Sequence, residues 1–251
     1  MAEFKPRQKN SASKTISPKH FYDEESWKTP TSIQRAWFAS GCTTLLISVA
    51  KSLIMISSRS TGLRSWIDPV VAAIVGYVLG DLGTGIYHWA IDNYGTARTP
   101  VFGSQIEGFL RHHDHPSAIT KRHIATNLYV GAAGFTIAVF PMNIFCTNPN
   151  LLAFAAAFLG CGMFCQQLHA WSHTTKGKLP RLVVALQDSR VILPRAEHAA
   201  HHHPPFDSHY CIVSGVWNRF LDKYKIFWAM EMIFFFIFGV RPRSWSDFNS
   251  K

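Results

Sequence analysis

The sequence predicts an all-α integral membrane protein, a four-helix bundle carrying a histidine-rich cap on one face. Three observations carry this expectation. The chain of 251 residues is 47% hydrophobic but only 16% charged, against about 25% charged in a typical globular domain. Its apolar residues gather in long runs rather than in helical or strand periodicities, and several runs approach the roughly 20 residues that a helix needs to cross a bilayer. Thirteen histidines are present, and most fall into tight clusters just beyond those runs.

In chain order, residues 1–35 are polar, rich in Ser, Lys and Pro, and read as a flexible tail or the remnant of an organelle transit peptide. Asp23, Glu24 and Glu25 are unusual in a transit peptide. Residues 36–251 read as one membrane domain. Its expected spans are Ala36 to Ile56, Pro69 to Ile91, Leu128 to Phe145 and Leu151 to Trp171. The third contains Pro141, which a membrane helix tolerates when neighbours satisfy the freed backbone groups. Ile226 to Val240 is apolar but short and holds Glu231, so an interfacial or core helix is expected there. A short helix at the membrane face is expected around Leu182 to Asp188. The cap comprises residues 92–127 and 172–251.

Charge orients the bundle. Lys and Arg concentrate in residues 1–35, 92–126 and 172–225, while 57–66 and 146–150 hold few or none. With four spans the rich regions share one side, and every histidine cluster falls on that side. The formal charge of +10 suits anionic lipid headgroups; no basic stripe interleaved with aromatics suggests nucleic acid. Cys42, Cys146, Cys161, Cys165 and Cys211 form no CxxC pair and read as buried or lipid-facing thiols.

His169 and His173 are spaced i, i+4 and would project from one helix face, as metal ligands do. His198 and His201 form an i, i+3 pair, with His202 adjacent. Neighbouring residues on a helix diverge by about 100°, so His201/His202 and His112/His113 suit two ions better than one. His88 and Asp92, again i, i+4, add an imidazole and a carboxylate that either binds metal or orients a ring N–H. Asp188 is a second candidate acceptor of that kind. The expected metal ligands are therefore His88, His112, His113, His169, His173, His198, His201 and His202, with Asp92 as an active-site carboxylate. His20, His115, His123, His203 and His209 lie outside the repeated spacing and read as ordinary surface or core residues. Imidazole suits zinc, copper and iron alike. Glu107 and Glu197 lack a histidine three residues on, so the paired Glu-x-x-His pattern of soluble di-iron bundles is missing, as is His-Glu-x-x-His. Asp81, inside the second span, is costly in lipid and should face the bundle interior or a polar cavity.

The stretches Gly85-Ile86-Tyr87-His88-Trp89-Ala90-Ile91-Asp92-Asn93-Tyr94-Gly95, His112-His113, Gln166-Gln167-Leu168-His169-Ala170-Trp171-Ser172-His173, Leu186-Gln187-Asp188, His198-x-x-His201-His202 and Tyr210-Cys211-Ile212-Val213-Ser214-Gly215 together resemble the Kua/CarF desaturase family, over about residues 70–247. The resemblance implies a fatty acyl-lipid desaturase with two iron ions, molecular oxygen and an external electron donor. Ferredoxin would serve in a plastid, cytochrome b5 at an endoplasmic reticulum. It is strongest to the family's plant plastid branch, whose reaction is trans-3 desaturation of palmitate in phosphatidylglycerol, and weaker to the plasmanylethanolamine branch, which forms vinyl ethers. Acyl hydroxylation by the same centre is a further alternative. A non-catalytic metal-binding or transport protein is a remote one, because charges within the spans are few beyond Lys51 and Asp81.

Overall fold

The computed structural model describes residues 28–59 and 62–245. The expected tail therefore lies outside the described residues up to position 27, as does His20. Among the described residues four helices are long and apolar enough to cross a membrane: α1 (Ser32–Arg59), α2 (Leu63–Asn93), α4 (Ile124–Phe145) and α5 (Pro149–His173). Between α2 and α4 lies α3 (Gly103–Asp114); α6 (Arg181–Asp188), α7 (Arg195–His201), α8 (Asn218–Lys223) and α9 (Ile226–Phe238) follow α5. No strand occurs among the described residues.

Local chemistry sets the helix starts. Thr31 and Gln34 form a reciprocal capping box: Gln34 N donates to Thr31 Oγ1 (3.2 Å) and Thr31 N to Gln34 Oε1 (2.9 Å). Helix α1 thus begins ahead of Ala36, within the stretch expected to be tail. His123 caps α4 by accepting from Ala125 N (3.1 Å). Asn148 caps α5, with Pro149 in the first turn. Pro141 is carried inside α4 near its end.

The most extensive helix pairing is α2 on α5, followed by α1 on α4. Bilayer lipid gives helices little hydrophobic drive to associate, so close backbone approach matters. A Cβ on Gly76 would stand 2.5 Å from Phe154 O, and one on Gly80 would stand 2.7 Å from the Cys161 side chain; these glycines let α2 sit directly against α5. Polar groups clasp α1 to α4. Ser48 Oγ meets Asn143 Oδ1 (2.8 Å), Asn143 Nδ2 donates to Thr44 O (3.0 Å), and Lys51 Nζ donates to Asn143 O (2.7 Å). Outward residues such as Leu46, Ile54, Val70, Ile74 and Ile137 are exposed, as lipid-facing positions are.

The cap packs over the end where α2 and α5 finish. Helix α3 buries Ile106 and Phe109. Helix α9, with 13 residues, reaches about 20 Å at 1.5 Å per residue, short of the roughly 30 Å hydrocarbon core. It buries Phe227 and Glu231 while Phe236, Ile237 and Phe238 are exposed, the expected form of an interfacial helix. Glu231 accepts from Trp89 Nε1 (3.2 Å), Ser244 Oγ (3.1 Å) and Trp245 Nε1 (2.8 Å), tying α9 to the α2 turn that carries His88.

Candidate metal centre

Four helices deliver imidazoles to one place. His88 and Asp92 occupy the last turns of α2, His112 and His113 the last turn of α3, His169 and His173 the end of α5, and His198 and His201 the helix α7, with His202 as its cap. They sort into two groups, within each of which the potential donor atoms lie no more than 4.8 Å apart: His112, His169, His173, His198 and His202 in one, and His88, Asp92, His113 and His201 in the other. The groups adjoin, with ring centroids 5.9 Å apart for His88 and His169 and 5.6 Å apart for His198 and His201.

Adjacent histidines are divided between the groups, His112 from His113 and His201 from His202, as their angular divergence on a helix requires. One pairing differs from expectation. His198 shares its pocket with His202, their Nε2 atoms 3.2 Å apart, and His201 goes to the other pocket.

The donor set fits metal. In the five-histidine pocket the Nε2 atoms of His112 and His173 are 2.9 Å apart, and those of His173 and His169 are 3.2 Å apart. Two nitrogens bonded to one ion at about 2.1 Å and at right angles stand about 3.0 Å apart. In the mixed pocket Asp92 Oδ2 lies 3.2 Å from His88 Nε2, 3.2 Å from His113 Nε2 and 3.3 Å from His201 Nε2. None of these contacts has hydrogen-bond geometry, so both Asp92 oxygens and all three Nε2 atoms are buried without a partner. Buried polar atoms left in this way are costly, and a shared cation satisfies all of them together. The cap histidines also hold the right protonation state. Burial, reinforced by neighbouring imidazoles, pushes His112 and His198 far below the usual histidine range, His202 down to about 2 and His201 down to about 4. A neutral ring keeps the lone pair that a metal needs.

Two tautomers are fixed by main-chain acceptors: His88 Nδ1–H donates to Tyr210 O (3.0 Å) and His201 Nδ1–H to Ser208 O (2.7 Å). Each leaves its Nε2 lone pair facing the mixed pocket. Sequence reasoning missed both acceptors, because a backbone carbonyl has no residue signature. Asp188, the acceptor it did nominate, is instead ion-paired with Lys176 and exposed; its helix turns it to solvent. Asp81 is fully buried, as expected, and takes three backbone N–H bonds. His115 and His203 are exposed, His123 caps α4, and His209 pairs with Asp222 (3.2 Å).

Comparison with known proteins identifies the family. A lipid desaturase domain is matched over residues 77–245. The chain is 50% identical over 216 residues to the fatty acid desaturase 4, chloroplastic, of Arabidopsis thaliana, covering 86% of this chain and 66% of that protein, just under two thirds of its length. A second Arabidopsis thaliana protein, fatty acid desaturase 4-like 1, chloroplastic, is 48% identical over 86% of this chain and 72% of its own. The plasmanylethanolamine desaturase 1 of Mus musculus is 30% identical over 70% of this chain and 68% of its own. No solved structure matches the chain. With membrane-length helices leading to a histidine-rich, metal-competent core, the chain belongs to the lipid desaturase family of oxidoreductases and is an integral membrane protein.

Proposed function

We propose that this chain is an O2-dependent desaturase of a glycerolipid-bound acyl chain, acting on palmitate in phosphatidylglycerol to form a trans double bond at carbon 3, in a plastid membrane. The observation that carries the reading is the pair of adjoining pockets built from eight histidines and Asp92, in a chain half identical to a chloroplastic fatty acid desaturase. The overall reaction takes two hydrogens from neighbouring carbons and, with O2, two electrons and two protons, gives the alkene and two waters. Ferredoxin is the donor that fits a plastid; cytochrome b5 would serve at an endoplasmic reticulum.

Two iron ions, one held by His112, His169, His173, His198 and His202 and the other by His88, Asp92, His113 and His201, would supply the oxygen-dependent oxidising chemistry. The protein's own groups orient that site and cover part of it. Phe109 packs edge-on to His88 and Phe206 edge-on to His113, and the Tyr210 and Ser208 carbonyls hold two rings in register. Asp92 offsets part of the cationic charge. An almost wholly apolar cavity of about 580 Å³ lies between α1, α2 and α5, lined by Leu45, Ala73, Ala157, Phe164 and Leu168 among others, and Leu168 adjoins the ligand His169. That volume and lining suit an acyl chain, and the basic residues of the cap suit an anionic headgroup.

Vinyl-ether formation is the second reading, favoured by the 30% identity to the mouse plasmanylethanolamine desaturase 1 but weaker than the 50% identity to the chloroplastic relative. Metal transport is disfavoured, because the two charged groups deep in the spans are engaged: Lys51 donates to Asn143 O, and Asp81 Oδ1 accepts from backbone N–H groups. Expression in a host without trans-3 acyl chains, with iron and a ferredoxin system, tests the proposal. Trans-3-hexadecenoate in phosphatidylglycerol is the expected product, and an unchanged lipid profile from iron-loaded, donor-supplied protein overturns it.

A further inference from the structure

The segment Ser208–Gly215 is a strap laid along one face of α2. At one end Asp81 Oδ1 accepts from the backbone N–H groups of Val213 (3.1 Å), Ser214 (2.8 Å) and Gly215 (3.2 Å). In the middle Cys211 presses on Gly85, where a Cβ would stand 2.4 Å from its Sγ. Asn218 holds both the N–H (2.9 Å) and the carbonyl (3.2 Å) of Cys211. At the other end Tyr210 donates its hydroxyl to Phe206 O (2.9 Å), receives Asn93 Nδ2 (3.0 Å), and offers its carbonyl to His88. Ser208 offers its carbonyl to His201. Asp81 to His88 is about 10 Å along a helix at 1.5 Å per residue, and Val213 to Tyr210 is about 10 Å along extended chain at about 3.3 Å per residue. Strap and helix therefore stay in register, and fixing one end fixes the other.

Asp81 is not there for packing. A carboxyl group in a span is expensive where an apolar side chain is not, and its Oδ2 is buried without a hydrogen-bond partner. What it does is pin the strap whose carbonyls orient two rings of the mixed pocket and none of the five-histidine pocket, where the Nδ1 atoms of His169, His198 and His202 have no hydrogen-bond partner. Resting on the two-pocket metal reading, we propose that Asp81 is a positioning residue for the pocket of His88, Asp92, His113 and His201, acting at a distance through the Ser208–Gly215 strap.

The test uses the full chain in lipid nanodiscs loaded with ⁵⁷Fe, read by iron content and Mössbauer spectrum rather than by turnover. Asp81→Ala is expected to weaken iron in the mixed pocket about 10- to 100-fold, the usual effect of losing an orienting partner. Its spectrum should follow that of His88→Ala and not that of His173→Ala. Asp81→Asn, which keeps the acceptor oxygen, should restore the wild-type spectrum. Leu152→Ala, a core truncation at the opposite end of α5, should lower stability and leave iron intact. Wild-type iron and spectrum in Asp81→Ala overturn the proposal, as does equal iron loss in Leu152→Ala. If Asp81→Ala does not fold, Asn218→Ala, which loosens the strap at its middle, decides by the same readout: selective loss from the mixed pocket supports the proposal and wild-type iron overturns it. Wild-type protein that binds no iron removes the metal reading itself, a separate outcome.

Discussion

The two pockets adjoin but are built on different physical terms. The mixed pocket has a carboxylate, and two of its three rings are locked by main-chain carbonyls. The five-histidine pocket has no carboxylate, and three of its rings have an Nδ1 buried without a protein partner. Charge compensation and fixed tautomers make the first pocket a pre-organised site. The second is a cluster of imidazoles whose order would depend more on an ion held among them. A centre of this kind would pair one firm position with one adaptable position, although both draw on the ends of α3 and α7.

The sharpest way to break the comparison is Asp92→Ala. It removes the only carboxylate among the grouped residues, and product formation in a lipid assay should fall at least about 100-fold, with iron lost chiefly from the mixed pocket. Chelator challenge at neutral pH should separate the pockets next: the five-histidine pocket empties first, at a rate about tenfold above the other. Simultaneous loss from both would show the asymmetry to be without consequence.

Acid gives a smaller, graded effect. His201 and His202 have pKa values lowered by folding, to about 4 and about 2, so between those values and the unfolded histidine value of about 6.5 the unfolded chain binds more protons. Stability of the metal-free protein should therefore be complete above pH 6.5 and decline as pH falls below it. The slope approaches about 1.4 kcal/mol per pH unit for each such ring, measurable by thermal unfolding in detergent. A stability profile flat from pH 7 to pH 5 would contradict the buried, neutral state. Smallest of all, His123→Ala removes the α4 cap and should cost about 1 kcal/mol of stability while leaving iron content unchanged, which separates structural histidines from those in the pockets.

Much of this architecture is legible in the residues. Span lengths, the Lys and Arg bias of the loops, and the i, i+4 spacing of His169/His173 suffice to bring the rings to one face. The angular divergence of adjacent residues foretells that His112 parts from His113. What was not legible is whether His198 shares a pocket with His201, three residues on, or with His202, four residues on, because α7 is short and its approach to α5 is set by tertiary packing. The acceptors were hidden for a different reason. Asp188 has the right chemistry but lies on the solvent side of α6, whereas Ser208 and Tyr210 act through atoms that every residue type possesses. The α1 start at Ser32 was written in Thr31 and Gln34, a capping signal that polarity averaging over the tail obscures.

The main-chain nature of those acceptors bears on how the centre tolerates genetic change. No codon substitution at positions 208 or 210 deletes a carbonyl, so the ring orientation there is insulated from most point mutations in the segment supplying it. Vulnerability is displaced to the positions that decide where the segment lies, such as the glycine at 85, whose missing side chain leaves room for it.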